Sequence, residues 1–116
     1  MSARTNIPEL DLARIRRYVE ARVPPRARHQ VRLEVEVEGV TVSIVERRAL
    51  WRPDVGPEWS RFAIAGLRYS PTHGAWTLFW RDRNLRWHRY DRIDAAATVD
   101  PLLADIDADP TVIFWG

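Results

Sequence analysis

Apolar positions recur at helical spacing from residue 8 onward: Leu12, Ile15, Val19 and Val23 form one stripe, with Tyr18 and Arg22 beside it. Pro8 suits a first-turn position, where its missing N–H costs nothing, and Glu9 and Asp11 put negative charge at the positive end of the helix dipole. Pro24 and Pro25 cannot donate the next hydrogen bonds and disfavour the helical conformation of their predecessors. The pattern predicts a helix over 8–23, with Arg14, Arg17 and Glu20 on its solvated face.

At Val31 the period changes from 3.6 to 2. Val31, Leu33, Val35 and Val37 alternate with Arg32, Glu34, Glu36 and Glu38, the pattern of a strand with one wet face. Glu38-Gly39 is the expected two-residue turn, pairing Val37 with Val40, Val35 with Val42 and Leu33 with Ile44. Residues 50–60 hold Pro53, Gly56 and Pro57 and read as a loop. Residues 61–69 read as a third strand, with a bulge at Gly66. A turn over 71–74 leads to a second hairpin over 76–90, built around Asp82-Arg83-Asn84-Leu85. Asp100-Pro101 opens a short helix to about Ala108 with Leu102, Leu103 and Ile106 inward; Asp109-Pro110 ends it, and 112–115 read as a last strand. The fold class expected is α+β: an N-terminal helix packed on a curved antiparallel β-meander of about five strands, then a short helix and a final C-terminal strand.

At 116 residues the chain is the size of one domain, 1–116, able to bury a core without staples. It has no cysteine, which removes disulfides and thiolate metal sites. Its longest apolar run is six residues, Phe62 to Leu67, and its N-terminus lacks an apolar signal region, so a cytoplasmic protein without membrane contact is expected. The formal charge is only +2, yet residues 1–90 carry +7 and residues 91–116 carry −5. Such a distribution fits an anionic partner, or a tail that neutralises the body. All 18 basic residues are Arg and none is Lys. That uniformity has the look of compositional bias, so a lone arginine says little about guanidinium chemistry.

The string WTLFWRDRNLRWHRY (Trp76 to Tyr90), followed by LLADIDADPTVIFWG (Leu102 to Gly116), resembles a bacterial family known as domain of unknown function 3024. VPPRARHQ (Val23 to Gln30) and ERRALWRPD (Glu46 to Asp54) are similar to the same family. The resemblance runs through nearly the whole chain and supports its boundaries. It implies no reaction, ligand or catalytic residue.

Candidate chemistry concentrates in the second hairpin. With Trp80 opposite Trp87, one face holds Trp76, Leu78 and Leu85 and is expected on the N-terminal helix. The other carries Thr77, Phe79, Arg81, Arg86, His88 and Tyr90, with Arg81 facing Arg86. Facing arginines repel unless an anion lies between them, and aromatics beside them can stack bases. Alternatively Asp82 or Asp91 supplies the anion and the last strand covers the aromatics. Arg89 does not fit this register: it falls on the core face opposite Leu78, which requires a bulge or a buried partner.

His29, His73 and His88 are isolated, with no second ligand at helical spacing. Asp105, Asp107 and Asp109 read as a solvated acidic face, because i and i+2 on a helix diverge. No phosphate loop or nucleophile elbow is present, and a chain without lysine excludes Schiff-base chemistry. The expectation is a small non-catalytic binding module without metal or cofactor, taking single-stranded nucleic acid through Phe79, Arg81, Arg86, His88 and Tyr90. Its partner could instead be a protein, including a second copy docked through the final strand. The alternative is a metal-independent phosphodiesterase or ribonuclease, with His88 as acid/base and Arg81 or Arg86 on the phosphate.

Overall fold

The computed structural model describes residues 7–54 and 56–115, with the side chains of Trp51 and Pro57 excepted. Residues 1–6, Val55 and Gly116, the last residue of the C-terminal motif, lie outside the described residues. Helix α1 spans Glu9–Arg22, with Pro8 as its N-cap and Val23, extended, as its C-cap. Ile15 and Val19 are buried and Leu12 packs beside them, as the stripe predicts. A turn of 3-10 helix, Pro25–Ala27, leads into the sheet.

Six strands follow: β1 (Val31–Glu38), β2 (Thr41–Arg52), β3 (Gly56–Trp59), β4 (Phe62–Ser70), β5 (Ala75–Arg81) and β6 (Trp87–Arg89). All pairings are antiparallel, in the order β1-β2-β4-β5-β6, with β3 pairing the far end of β2. Helix α2 spans Asp100–Ala108 and buries Leu102, Leu103 and Ile106. Both helices pack on one sheet face, where Val42, Ile44, Leu67, Trp76 and Leu78 join Ile15 and Ile106 in a single core. The α+β architecture therefore stands as the periodicity predicts.

Four local expectations do not. Residues 50–60 are not simply a loop: β2 continues to Arg52 and returns as β3, where Arg52 and Glu58 form an ion pair at 2.8 Å. The first hairpin pairs Val37 with Val42 and Val35 with Ile44, two residues away from the expected register. Gly39 takes φ +60° at the first of the two loop positions, so Glu38 pairs with Thr41 and the turn is Gly39-Val40. The bulge lies at Ile64 rather than Gly66, since Ile44 pairs with Ala65 and Val45 with Ala63.

The final strand does not form. Asp109 adopts the left-handed conformation (φ 43°), and its carboxylate accepts the N–H groups of Ile113 (2.9 Å), Phe114 (3.1 Å) and Trp115 (2.9 Å). With those donors taken, residues 112–115 pair with no strand among the described residues. Phe114 is buried against Tyr90 and the core, and the Trp115 indole donates to the Ile106 carbonyl at 2.9 Å.

Candidate functional site

The turn between β5 and β6 decides which side chains share a surface. Asp82 N–H donates to the Arg86 carbonyl and Leu85 N–H to the Asp82 carbonyl, both at 2.9 Å. The Asp82 Oδ1 accepts the N–H groups of Asn84 (2.8 Å) and Arg86 (3.0 Å), and Leu85 sits in the left-handed region with φ 64°. A loop organised by this carboxylate closes as five residues. It pairs Arg81 with Trp87, Trp80 with His88 and Phe79 with Arg89.

That register differs by one residue from the expected one, and a one-residue slip moves each side chain of the return strand to the other face. Arg81 does not face Arg86. It faces Trp87, with its guanidinium carbon 5.5 Å from the ring centroid, and its Nε donates to the Leu85 carbonyl at 3.3 Å. His88 turns to the helix side, stacked on Trp80 with centroids 4.6 Å apart, and its Nε2 lies 2.7 Å from Asp82 Oδ2. That contact, followed by the Arg86 N–H, holds the Asp82 carboxyl below its usual range. Tyr90 is buried in the core, and burial, then the neighbouring Asp105 carboxylate, pushes its phenol up. Arg86 belongs to the turn. Of the five expected site residues, the structure keeps Phe79 and Arg81 together on one face and removes His88 and Tyr90 from it. Arg89 needs no bulge or buried partner, because it lies on the outer face.

The outer face lies opposite both helices. Across β1, β2 and the residue before β4, two arginines are matched and a third is stacked: Arg47 Nε is 2.6 Å from Glu34, Arg61 pairs with Glu36, whose carboxyl is lowered chiefly by that hydrogen bond, and the Arg32 guanidinium carbon lies 4.1 Å from the Trp59 ring centroid. Across β4, β5 and β6 the character changes. Arg68, Arg81 and Arg89 make no ion pair among the described residues. Between them lie Phe79, half-buried, and Trp87, 42% exposed. Trp87 rests on Gly66, where an added Cβ would meet its Cζ3 at 3.0 Å, so the glycine serves close approach of the indole. Two adjoining concavities open here. One of about 230 Å³ is lined by Thr41, Gly66, Arg68, Phe79 and Trp87. The other, of about 540 Å³, shares Arg68 and Phe79 and adds Thr77, Ser70 and Arg89.

Trp87 and Arg89, expected on the core face, and Gly66, expected as a bulge, join Arg68 in this site; the misfit of Arg89 was the one signal of it in the sequence, and a five-residue turn removes that misfit. The acidic segment sits elsewhere: Asp100 is 3.1 Å from Arg14, and Asp107 accepts from Tyr18 and lies 3.8 Å from Arg22, so these carboxylates face α1. They are not one solvated acidic face, since Asp109 is buried as a cap and Asp105 Oδ2 is buried near Tyr90. Among the described residues no three His, Asp or Glu side chains are grouped to hold a metal, and no helix is long and apolar enough to cross a membrane.

The chain belongs to the family described as Domain of unknown function (DUF3024), whose model matches residues 3–116. No curated protein and no solved structure gives a match.

Proposed function

Within a family whose description assigns no activity, we propose that this domain binds single-stranded nucleic acid on the outer face of β4, β5 and β6. One observation carries the reading. Three arginines without a carboxylate partner among the described residues, Arg68, Arg81 and Arg89, surround the aromatic pair Phe79 and Trp87 on a face that neither helix covers. On the neighbouring part of the same face Arg47 and Arg61 are matched to Glu34 and Glu36, and Arg32 lies over the Trp59 ring, so the three arginines around Phe79 and Trp87 are the larger group without a carboxylate. Exposed rings on a sheet offer stacking to any base, and guanidinium groups neutralise the backbone without reading sequence. The chain's lack of cysteine fits residence in the cytoplasm, where nucleic acid is at hand.

A phosphodiesterase is less well supported. The imidazole of His88 and the arginines of the outer face sit on opposite sides of the sheet, so no single phosphate is flanked by both.

Titration of labelled single-stranded DNA and RNA at two salt concentrations tests the proposal. Affinity should fall with salt, and Arg68→Gln with Arg89→Gln should flatten the salt slope by about 1–2 units. Tyr90→Phe, on the far face, should change nothing. Absence of binding at low salt, or binding indifferent to the double substitution, rejects the proposal and leaves a protein partner, including a second copy, as the reading to pursue.

A further inference from the structure

The two concavities differ in chemistry, and their order along the sheet defines a unit of ligand. The first is bounded by the Trp87 ring, the Phe79 ring and the bare backbone of Gly66, with the Thr41 hydroxyl at its edge. A flat, mostly apolar slot fits a nucleobase and has nothing to hold a phosphate except Arg68 at its boundary. The second is lined by two arginines, Arg68 on β4 and Arg89 on β6, with Thr77 on the strand between them and Ser70 beyond Arg68, its hydroxyl bonded to His73. Arg68 pairs across from Thr77, while Arg89 pairs across from Phe79, two positions further along β5. The two arginines thus stand two strand spacings apart, about 10 Å, and about 7 Å apart along the strands. Both line the one concavity that includes Thr77, so a tetrahedral anion seated there would be within reach of donors from each.

We infer that the site is built for one base and one adjacent phosphate: the base lies over Trp87 and Gly66, and the phosphate lies between Arg68 and Arg89. This rests on the nucleic-acid reading above and makes it more specific, because one base and its adjacent phosphate would engage both concavities. The phosphate is the shared chemistry of a terminal monophosphate and an internal diester.

The experiment uses the full chain and calorimetric titration with four probes: a nucleoside, inorganic phosphate, a nucleoside monophosphate, and a dinucleotide whose only phosphate is its internal diester. The monophosphate or the dinucleotide should bind at least tenfold more tightly than nucleoside or inorganic phosphate, and which of the two does so identifies the phosphate source. Gly66→Ala pushes against Trp87 from beneath without changing any charge. It should weaken the nucleotide probes several-fold and leave inorganic phosphate unaffected, and Trp87→Ala should do the same if Gly66→Ala perturbs the sheet. Arg89→Gln should weaken only the phosphate-bearing probes. If neither nucleotide probe exceeds nucleoside or phosphate while a longer oligonucleotide still binds with a salt slope, the two-part site is wrong and the broader reading survives. If the oligonucleotide also fails, both fall.

Discussion

The indole Nε1 of Trp76 donates to Oδ2 of Asp11 at 3.0 Å, inside the core, while Oδ1 of the same carboxylate accepts the Val99 N–H at 3.2 Å. One buried side chain therefore ties α1 to β5 and to the start of α2. Arg14 lies 3.8 Å away and is shared with Asp100, which keeps a cation near the carboxylate. Removing an acceptor from a buried donor costs about 1–3 kcal/mol, and Asp11→Ala orphans two donors, so it should destabilise the domain by about 2–5 kcal/mol. Trp76→Phe combined with Asp11→Asn should show a coupling of about 0.5–3 kcal/mol in a double-mutant cycle. Additive urea midpoints for the two substitutions would show that the pair is not coupled.

Asp109 closes the C-terminus in the same manner, by one carboxylate accepting three backbone N–H groups. Asp109→Ala should lower stability by about 2–4 kcal/mol, from orphaned donors and from a left-handed backbone that alanine disfavours. Asp109→Asn, which tolerates that conformation and keeps one oxygen, should recover part of the loss. Truncation after Asp109 removes the buried Phe114 and should abolish cooperative melting. A truncated chain that melts like the parent would mean the ending contributes nothing to the core.

Leu85 is 55% exposed and holds φ 64°, a conformation costly for a side chain with a Cβ. Leu85→Gly removes little packing and should stabilise the domain by about 0.5–1 kcal/mol. Thermal melts should show the rise directly. A fall in stability would indicate that the Leu85 side chain contributes packing beyond the turn.

Tyr18 donates its hydroxyl to Asp107 Oδ1 at 3.1 Å, and burial first, then the charge of Asp107, pushes its phenol from 10.0 up to about 12. The fold favours the neutral phenol, so this contribution is complete below about pH 10 and is lost as the pH rises from there through about 12. Stability measured by denaturant across that window should decline, and Tyr18→Phe should flatten part of the decline. Spectroscopic titration should show a late phenolate step that Tyr18→Phe removes; a step at the ordinary value would contradict the Asp107 contact.

Periodicity alone determined the helices, the antiparallel sheet and most of the core. Ile15, Val19, Leu102, Leu103 and Ile106 are buried where a 3.6-residue stripe puts them, and Leu33, Val35 and Val37 face inward where a period of two puts them. Those signals are local, each repeated several times along its element, and no distant contact is needed to read them.

Tertiary structure decided what depends on register and on single long-range partners. Both hairpins differ from the simplest turn, yet with opposite consequences. In the first, pairing moves by two residues, so parity is kept and Val35 stays inward although its partner changes from Val42 to Ile44. In the second, pairing moves by one, so His88 and Tyr90 exchange faces with Trp87 and Arg89. The deciding agent is the Asp82 carboxylate, which gathers the N–H groups of Asn84 and Arg86 and so counts five residues into the loop. The buried carboxylates Asp11 and Asp109 are likewise unreadable from pattern. A charged residue at a helix end looks solvated until the indole or the backbone amides that it accepts from are brought to it by the rest of the fold.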